Sequence, residues 1–392
     1  MAGLGPVGWA AGRVAATVGS RVVERVRRTP ARTAADIPPG PAAVTPEWLT
    51  SVLCADYPGV RVTEVEASNR SSQTTSRVAL RLGYSAGAPE SLPTDVFVKF
   101  TETVQQRVFA GLVKFLDGEP EFYASLRGLA DFECPLGYHG RVDRRSWASV
   151  VVMEDVAATR GATFQHATTA IDRPAIESLL STMAAYHGQY WEHPAVVGST
   201  LKRPEDHQAN IGLFLNARKQ AMVGVDRTPG FPAALRSRQD ELWRALVDSM
   251  RELSHGGPQT LLHGDPHIGN TYRTRDGTVA FADWQVVMRG TWAYDFADTV
   301  ATALTVEDRR AWERDLLAHY LDELARHGGK APEFTAAFDL YRRSLMYPHY
   351  CWATVLGAPS WMPDTQPPDV ARTIVERIGT AIDDVDAIAA FR

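Results

Sequence analysis

The sequence predicts an α+β protein in two parts, the first built on an antiparallel sheet and the second mainly helical around a β-hairpin. Its 392 residues exceed what one hydrophobic core usually holds, so two lobes are expected. Short alternating or buried apolar runs at residues 60–67, 77–82, 95–100 and 149–155 read as strands and all lie in the first part. Longer amphipathic runs dominate beyond residue 175, interrupted by a strand–turn–strand pattern between Leu261 and Asp283. The division expected is an extension over 1–43, a first lobe over 44–153 and a second over 154–392.

Ala10, Val14, Val18, Val22 and Val26 recur every four residues in the extension, which lays a slowly drifting stripe along a helix. Arg13, Arg21, Arg25, Arg27 and Arg28 make the rest basic, and Pro30, Pro38, Pro39 and Pro41 form a linker. Such a helix packs on the body, or makes a weak contact with a membrane surface or a partner. Within the first lobe, Thr45-Pro46-Glu47 reads as a helix start with Thr45 as N-cap. Residues 68–76, rich in serine and threonine and without glycine, read as a polar loop between two strands. The strand at 95–100 carries Lys99 on the same face as Phe97, hemmed in by Val98 and Phe100. Glu119-Pro120-Glu121 opens a helix near Gly118, because proline is tolerated only in a first turn. The run 149–155 is a buried strand ending in acids, near Met153.

In the second lobe, helices are expected at 175–191, 236–253, 311–326, 335–355 and 369–389. Between the second and third, Leu262-His263-Gly264-Asp265 leads into a polar loop ending at Asn270, and a second strand returns to Asp283 across Arg275-Asp276-Gly277. Asp-Gly between apolar runs is a strong hairpin signal. The hairpin brings Asp265, Asn270 and Asp283 to one end of a small β unit. That supplies a carboxylate to accept a proton, and an amide oxygen with a second carboxylate for a hard cation such as Mg²⁺. The set is what metal-assisted phosphoryl transfer requires.

The net charge of −5 leaves no basic excess for nucleic acid. Three widely spaced cysteines give no disulfide framework, so a reducing, cytoplasmic setting is expected. No run approaches the roughly 20 apolar residues of a membrane span.

His263-Gly264-Asp265, Asn270 and Asp283-Trp284 together resemble the catalytic and metal loops of the aminoglycoside phosphotransferase and choline kinase-like group, small-molecule relatives of protein kinases. The end of the 175–191 helix, Ala185-Tyr186-His187, is similar to a segment of choline kinase-like and ecdysteroid kinase-like sequences. The resemblance implies a protein kinase-like two-lobed fold, ATP as phosphoryl donor, Mg²⁺, and a hydroxyl of a small molecule as acceptor. It implies Asp265 as base, Asn270 and Asp283 as metal ligands, and Lys99 as the phosphate lysine, oriented by Glu119 with Glu121 as competitor. It further places Ser71 and Ser72 over the phosphates, Met153 at the adenine hinge and Asp295 as a brace of the catalytic loop. Phe97, two before the lysine, stands where protein kinases usually carry a small residue against adenine, so the slot is reshaped or another nucleoside triphosphate is preferred.

The substrate side is expected in 340–363, where Arg342 and Arg343 are followed by many aromatics and by no acid before Pro363. A neutral or hydrophobic alcohol suits that composition. An aminoglycoside or other antibiotic kinase, and a catalytically silent kinase-like binding protein, are the other readings.

Overall fold

The computed structural model describes residues 6–27, 30–72, 74–359 and 365–391. The chain divides into two compact units, Met1–Leu129 with Pro135–Gly161, and Ala130–Cys134 with Ala162–Arg392. The boundary thus falls eight residues beyond position 153. Residues 154–161 stay with the first unit because the Asp155 amide donates to Asp95 at 3.3 Å and Arg160 is held by the Glu154 carboxylate.

The first unit is built on a five-stranded antiparallel sheet. Its strands are β1 (Val62–Ser72), β2 (Ser76–Tyr84), β3 (Asp95–Phe100), β4 (Gly137–Asp143) and β5 (Ala148–Glu154), in the order β1-β2-β3-β5-β4. One face of β3 buries Val96, Val98 and Phe100 with Trp48 and Leu49 of the helix Pro46–Leu53. Thr45 caps that helix by accepting from the Trp48 amide at 3.1 Å, and Pro46 occupies its first turn. The other face of β3 carries Phe97 and Lys99.

The polar loop expected at 68–76 is mostly strand. β1 runs to Ser72 and β2 begins at Ser76. The ladder absorbs the irregular polar residues by a register shift between Ser68 and Ser71, where Asn69 takes the left-handed conformation (φ 45°).

The N-terminal helix, Pro6–Arg27, packs on this unit. Successive members of its valine stripe turn by about 40° because four residues overshoot one helical turn. The stripe therefore starts buried at Ala10 and ends in solvent at Val18, Val22 and Val26. Polar side chains make the attachment. Glu24 accepts both guanidinium nitrogens of buried Arg107, at 2.7 and 3.0 Å, and Arg13 lies over the Trp147 ring.

The second unit packs helices around two small β elements. Strands β6 (Thr163–Phe164), β8 (Thr271–Arg273) and β9 (Val279–Phe281) form one sheet, and β7 (Thr260–Leu262) pairs with β10 (Met288–Gly290). The β8–β9 hairpin turns at Gly277 (φ 96°), as the Asp-Gly signal predicts. Every residue of the helix Ala293–Ala303 is buried, so it forms the axis of this unit. The single helix expected over 335–355 is two, Phe334–Ser344 and Met346–Leu356. Pro348 explains the break, since it has no N–H for the Ser344 carbonyl and its ring crowds that group.

Candidate active site

The residues singled out from the sequence assemble into two groups, one in each unit. In the first unit, Lys99 Nζ donates to Glu119 Oε1 at 2.7 Å, and both side chains are about 95% shielded from solvent (5% and 4% exposed). Glu119 is reached because the helical turn Gly118–Glu121 starts at Gly118, with Pro120 harmless in the first turn. Glu121 is only half-buried. A buried ion pair is costly to desolvate, so its presence is better explained by a task than by stability. Met153 lies within the sheet, opposite Phe97 on β3 and Gly137 on β4.

Ser71 and Ser72 are exposed at the β1–β2 tip. Ser72 is tied down by a residue the sequence reading missed. Gln106 Nε2 donates to Ser72 Oγ at 3.2 Å, while its carbonyl oxygen accepts the amides of Glu102 and Thr103. The signal was in the sequence, since Thr103-x-x-Gln106 is a capping box.

In the second unit the loop after β7 is clamped by Asp295 at the start of the axial helix. The Asp295 carboxylate accepts the His263 amide at 2.6 Å, the Gly264 amide at 3.1 Å and the Tyr186 hydroxyl at 2.8 Å. His187 Nε2 lies 3.3 Å away. Burial raises the Asp295 carboxyl, but His187, His263 and the Gly264 amide outweigh it and hold the group below the usual carboxylate range. Gly264 is required at its position. It has φ +83°, and a Cβ there would lie 2.1 Å from the Val286 carbonyl oxygen. His263 crosses to the partner strand, with Nε2 2.9 Å from the Ala282 carbonyl and Nδ1 accepting the Asp265 amide at 3.3 Å. Burial keeps its imidazole below its ordinary pKa, hence neutral.

This scaffold brings the three hairpin residues together. Asn270 Nδ2 donates to the Asp265 carbonyl at 2.9 Å and to Asp265 Oδ2 at 3.0 Å. The Ala282 amide donates to the Asn270 carbonyl at 2.7 Å, which sets Asp283 beside Asn270. Asp283 is held in the left-handed region (φ 59°, ψ 62°), a conformation that Asp tolerates and that concentrates at functional sites. With the Asn270 amide nitrogen committed to Asp265, its side-chain oxygen is the atom of that amide that could act as an acceptor. One carboxylate and one amide oxygen, with waters and phosphate oxygens completing the shell, suit Mg²⁺.

Two further buried groups lie by Asp265. His267 Nδ1 accepts the Gly269 amide at 3.1 Å, and its Nε2 lies 3.8 Å from Asp265 Oδ2. Asp298, one turn beyond Asp295, is close enough to Asp265 for the two charges to oppose each other. Its sequence signal was an acid inside the apolar run 296–303. Of the aromatics expected on the substrate side, Tyr341 is core, its hydroxyl donating to Glu313 at 2.9 Å. Trp352 meets His267 edge to face, and the Tyr347 hydroxyl lies 2.7 Å from His207 Nδ1. Trp361 and Met362 lie outside the described residues.

The chain is a small-molecule phosphotransferase by its family. The profile of the phosphotransferase enzyme family matches residues 106–338, and the chain belongs to that family. Its α+β class, an antiparallel sheet in the first unit and a mainly helical second unit, is the one described above. Comparison with curated proteins gave no match. Among solved structures, the chain is similar to a microcompartment-associated aminopropanol kinase (16% identity, TM-score 0.47, 81% of this chain and 90% of that one). It is also similar to the choline kinase LicA from Streptococcus pneumoniae (12%, 0.46, 86% and 98%) and to an aminoglycoside-3'-phosphotransferase of type VIII (18%, 0.40, 75% and 95%).

Proposed function

We propose that the protein moves the γ-phosphoryl group of ATP, in the presence of Mg²⁺, to a hydroxyl of a neutral or hydrophobic small molecule. The observation that carries this reading is the joined set of Asp265, Asn270 and Asp283 on a loop whose amides are clamped by Asp295. Asp265 accepts the proton of the attacking hydroxyl. Lys99, oriented by Glu119, holds the nucleotide phosphates, with Ser71 and Ser72 covering them and Met153 beside the base. Asn270 and Asp283 hold Mg²⁺, which when bound neutralises charge on the phosphates. The protein's remaining task is positioning, because phosphoryl transfer asks for little covalent chemistry from the enzyme.

Neutral acceptors are favoured because the charges near the substrate side are spent elsewhere. Arg343 pairs with Glu252 through two bonds of 2.7 and 2.8 Å, and Arg342 pairs with Asp339 at 2.9 Å. Burial pushes His207 and His349 down to about 4, so neither carries charge near neutral pH. The protein is expected to work in the cytoplasm. Among the described residues no helix is long and apolar enough to cross a membrane.

The test is incubation with ATP and Mg²⁺ against a panel of neutral alcohols, choline and kanamycin, read as phosphorylated mass shifts. Phosphorylation of neutral alcohols in preference to the two cations is the expected result. Efficient kanamycin phosphorylation with the alcohols untouched would overturn the acceptor class, and nucleotide binding without turnover of any compound would mark a silent kinase.

A further inference from the structure

Two buried polar atoms beside Asp265 have no hydrogen-bond partner among the described residues, His267 Nε2 and Asp298 Oδ1. Leaving such an atom unpaired costs about 1–3 kcal/mol, so a pair of them next to a reacting centre calls for a ligand. Their chemistry is defined by their surroundings. Because His267 Nδ1 accepts the Gly269 amide, the ring proton sits on Nε2, which is a donor 3.8 Å from Asp265 Oδ2. The ring is fixed by the edge contact with Trp352, whose centroid is 5.1 Å away. Asp298 is 1% exposed on the fully buried axial helix, and the Thr299 hydroxyl docks that helix to the catalytic loop by donating to the Pro266 carbonyl at 2.9 Å. Burial first, then the charges of Asp265 and Asp295, hold the Asp298 carboxyl protonated well above the usual range, against the opposing hydrogen bonds of the Trp352 and Tyr294 side chains, so that only Oδ1 is left without a partner. A protonated carboxyl both donates and accepts.

Resting on the phosphotransferase reading above, we infer that His267 and Asp298 form an acceptor subsite that recognises a second neutral oxygen near the hydroxyl to be phosphorylated, so that the acceptor is a diol or polyol. The reacting hydroxyl sits between Asp265 and the His267 N–H, and its neighbour on the carbon skeleton exchanges hydrogen bonds with Asp298. A site built on a buried polar pair discriminates strongly against an analogue that lacks the matching group, because the pair is then left unsatisfied. A carboxylate or ammonium at the second position is excluded on the same ground, since neither completes a neutral pair with Asp298 in a buried setting.

The test compares matched linear and cyclic C4–C8 mono-ols with their 1,2- and 1,3-diols as acceptors, following ADP release in the wild type and in Asp298→Leu, Asp298→Asn, His267→Gln and His267→Ala. The wild type is expected to prefer diols by at least tenfold in kcat/KM. Asp298→Leu should erase that preference, bringing the diol-to-mono-ol ratio of kcat/KM within about threefold of one. Asp298→Asn, which keeps a donor and an acceptor, should retain most of it, and His267→Gln, which keeps a donor, should lose less than His267→Ala. Equal use of mono-ols and diols overturns the inference, as does a diol preference that survives Asp298→Leu. If the two atoms merely share a trapped water, the variants will not distinguish the acceptor classes, which also overturns it. Turnover of none of the pairs overturns the subsite as well. Whether the phosphotransferase reading falls with it is decided separately, by Mg²⁺-dependent ATP binding and by ATP hydrolysis with water as acceptor.

Discussion

Asp265 is 41% exposed on a loop whose His263, Gly264 and Asp265 amides are all committed to protein partners, so its carboxylate is the group left for incoming substrate. Replacing it by Asn keeps the size and the Asn270 contact but removes the base. Turnover of Asp265→Asn should fall by about 10²–10⁴-fold, the usual contribution of general-base catalysis, with ATP affinity nearly unchanged. Loss of ATP binding in parallel would show that Asp265 holds the fold or the metal instead. Asn270→Ala should raise the Mg²⁺ concentration needed for half-maximal rate, and Asp283→Ala should abolish the rate. Wild-type Mg²⁺ dependence in either variant removes that residue from the ligand set. These three were legible in the sequence because they lie within 19 positions on one hairpin with a recognisable turn. Gln106 and Asp298 were not selected, because a cap and a helix-face acid gain meaning only from what the fold brings to them.

At the scale of elements, β3 and the turn Gly118–Glu121 are coupled through the ion pair of Lys99 with Glu119. Lys99→Ala and Glu119→Ala should each impair catalysis, and the double variant should lose little more than the worse single one, because residues acting as a unit are non-additive. Additive losses in kcat/KM, or a larger effect at Glu121, would reject the unit. Strands and capped helices were readable where local chemistry decides them, as at Thr45-Pro46 and at Gly277. They were misread where a local cue competed with a longer-range one. The polar composition of 68–76 argues for a loop, but pairing with β2 carries the strand through it. The apolar continuity of 335–355 argues for one helix, but Pro348 divides it. The chain also kept residues 154–161 with the first unit through Asp95 and Glu154, contacts that no local pattern announces.

At the scale of the whole molecule, several buried histidines set the response to acid. Burial lowers His187, His263, His207 and His349, the last two to about 4. In the unfolded chain a histidine takes its proton near 6.5. The unfolded state therefore binds more protons than the folded one between about pH 6.5 and 4, so stability is complete above that window and falls as pH drops through it. Asp295 acts in a lower window, since its depressed carboxyl contributes above its unfolded value of about 3.9 and the contribution is lost only as pH falls through its folded one. The Tm should drop between pH 7.5 and 5.0 at fixed ionic strength, and drop less in His349→Gln. A Tm that is flat over that interval would refute this account.

The attachment of the N-terminal helix to Arg107 and to the 144–147 turn carries a consequence for how the chain is made. Glu24 meets a partner 83 positions later, and Arg13 reaches the Arg144 carbonyl 131 positions later. During synthesis the helix therefore leaves the ribosome long before Arg107 and the 144–147 turn exist. Until residue 147 has emerged, the helix lacks part of the surface its Glu24 and Arg13 settle on, and the nascent chain carries an undocked amphipathic segment. The first unit can close only when β4 and β5 arrive, so this helix is among its last parts to dock.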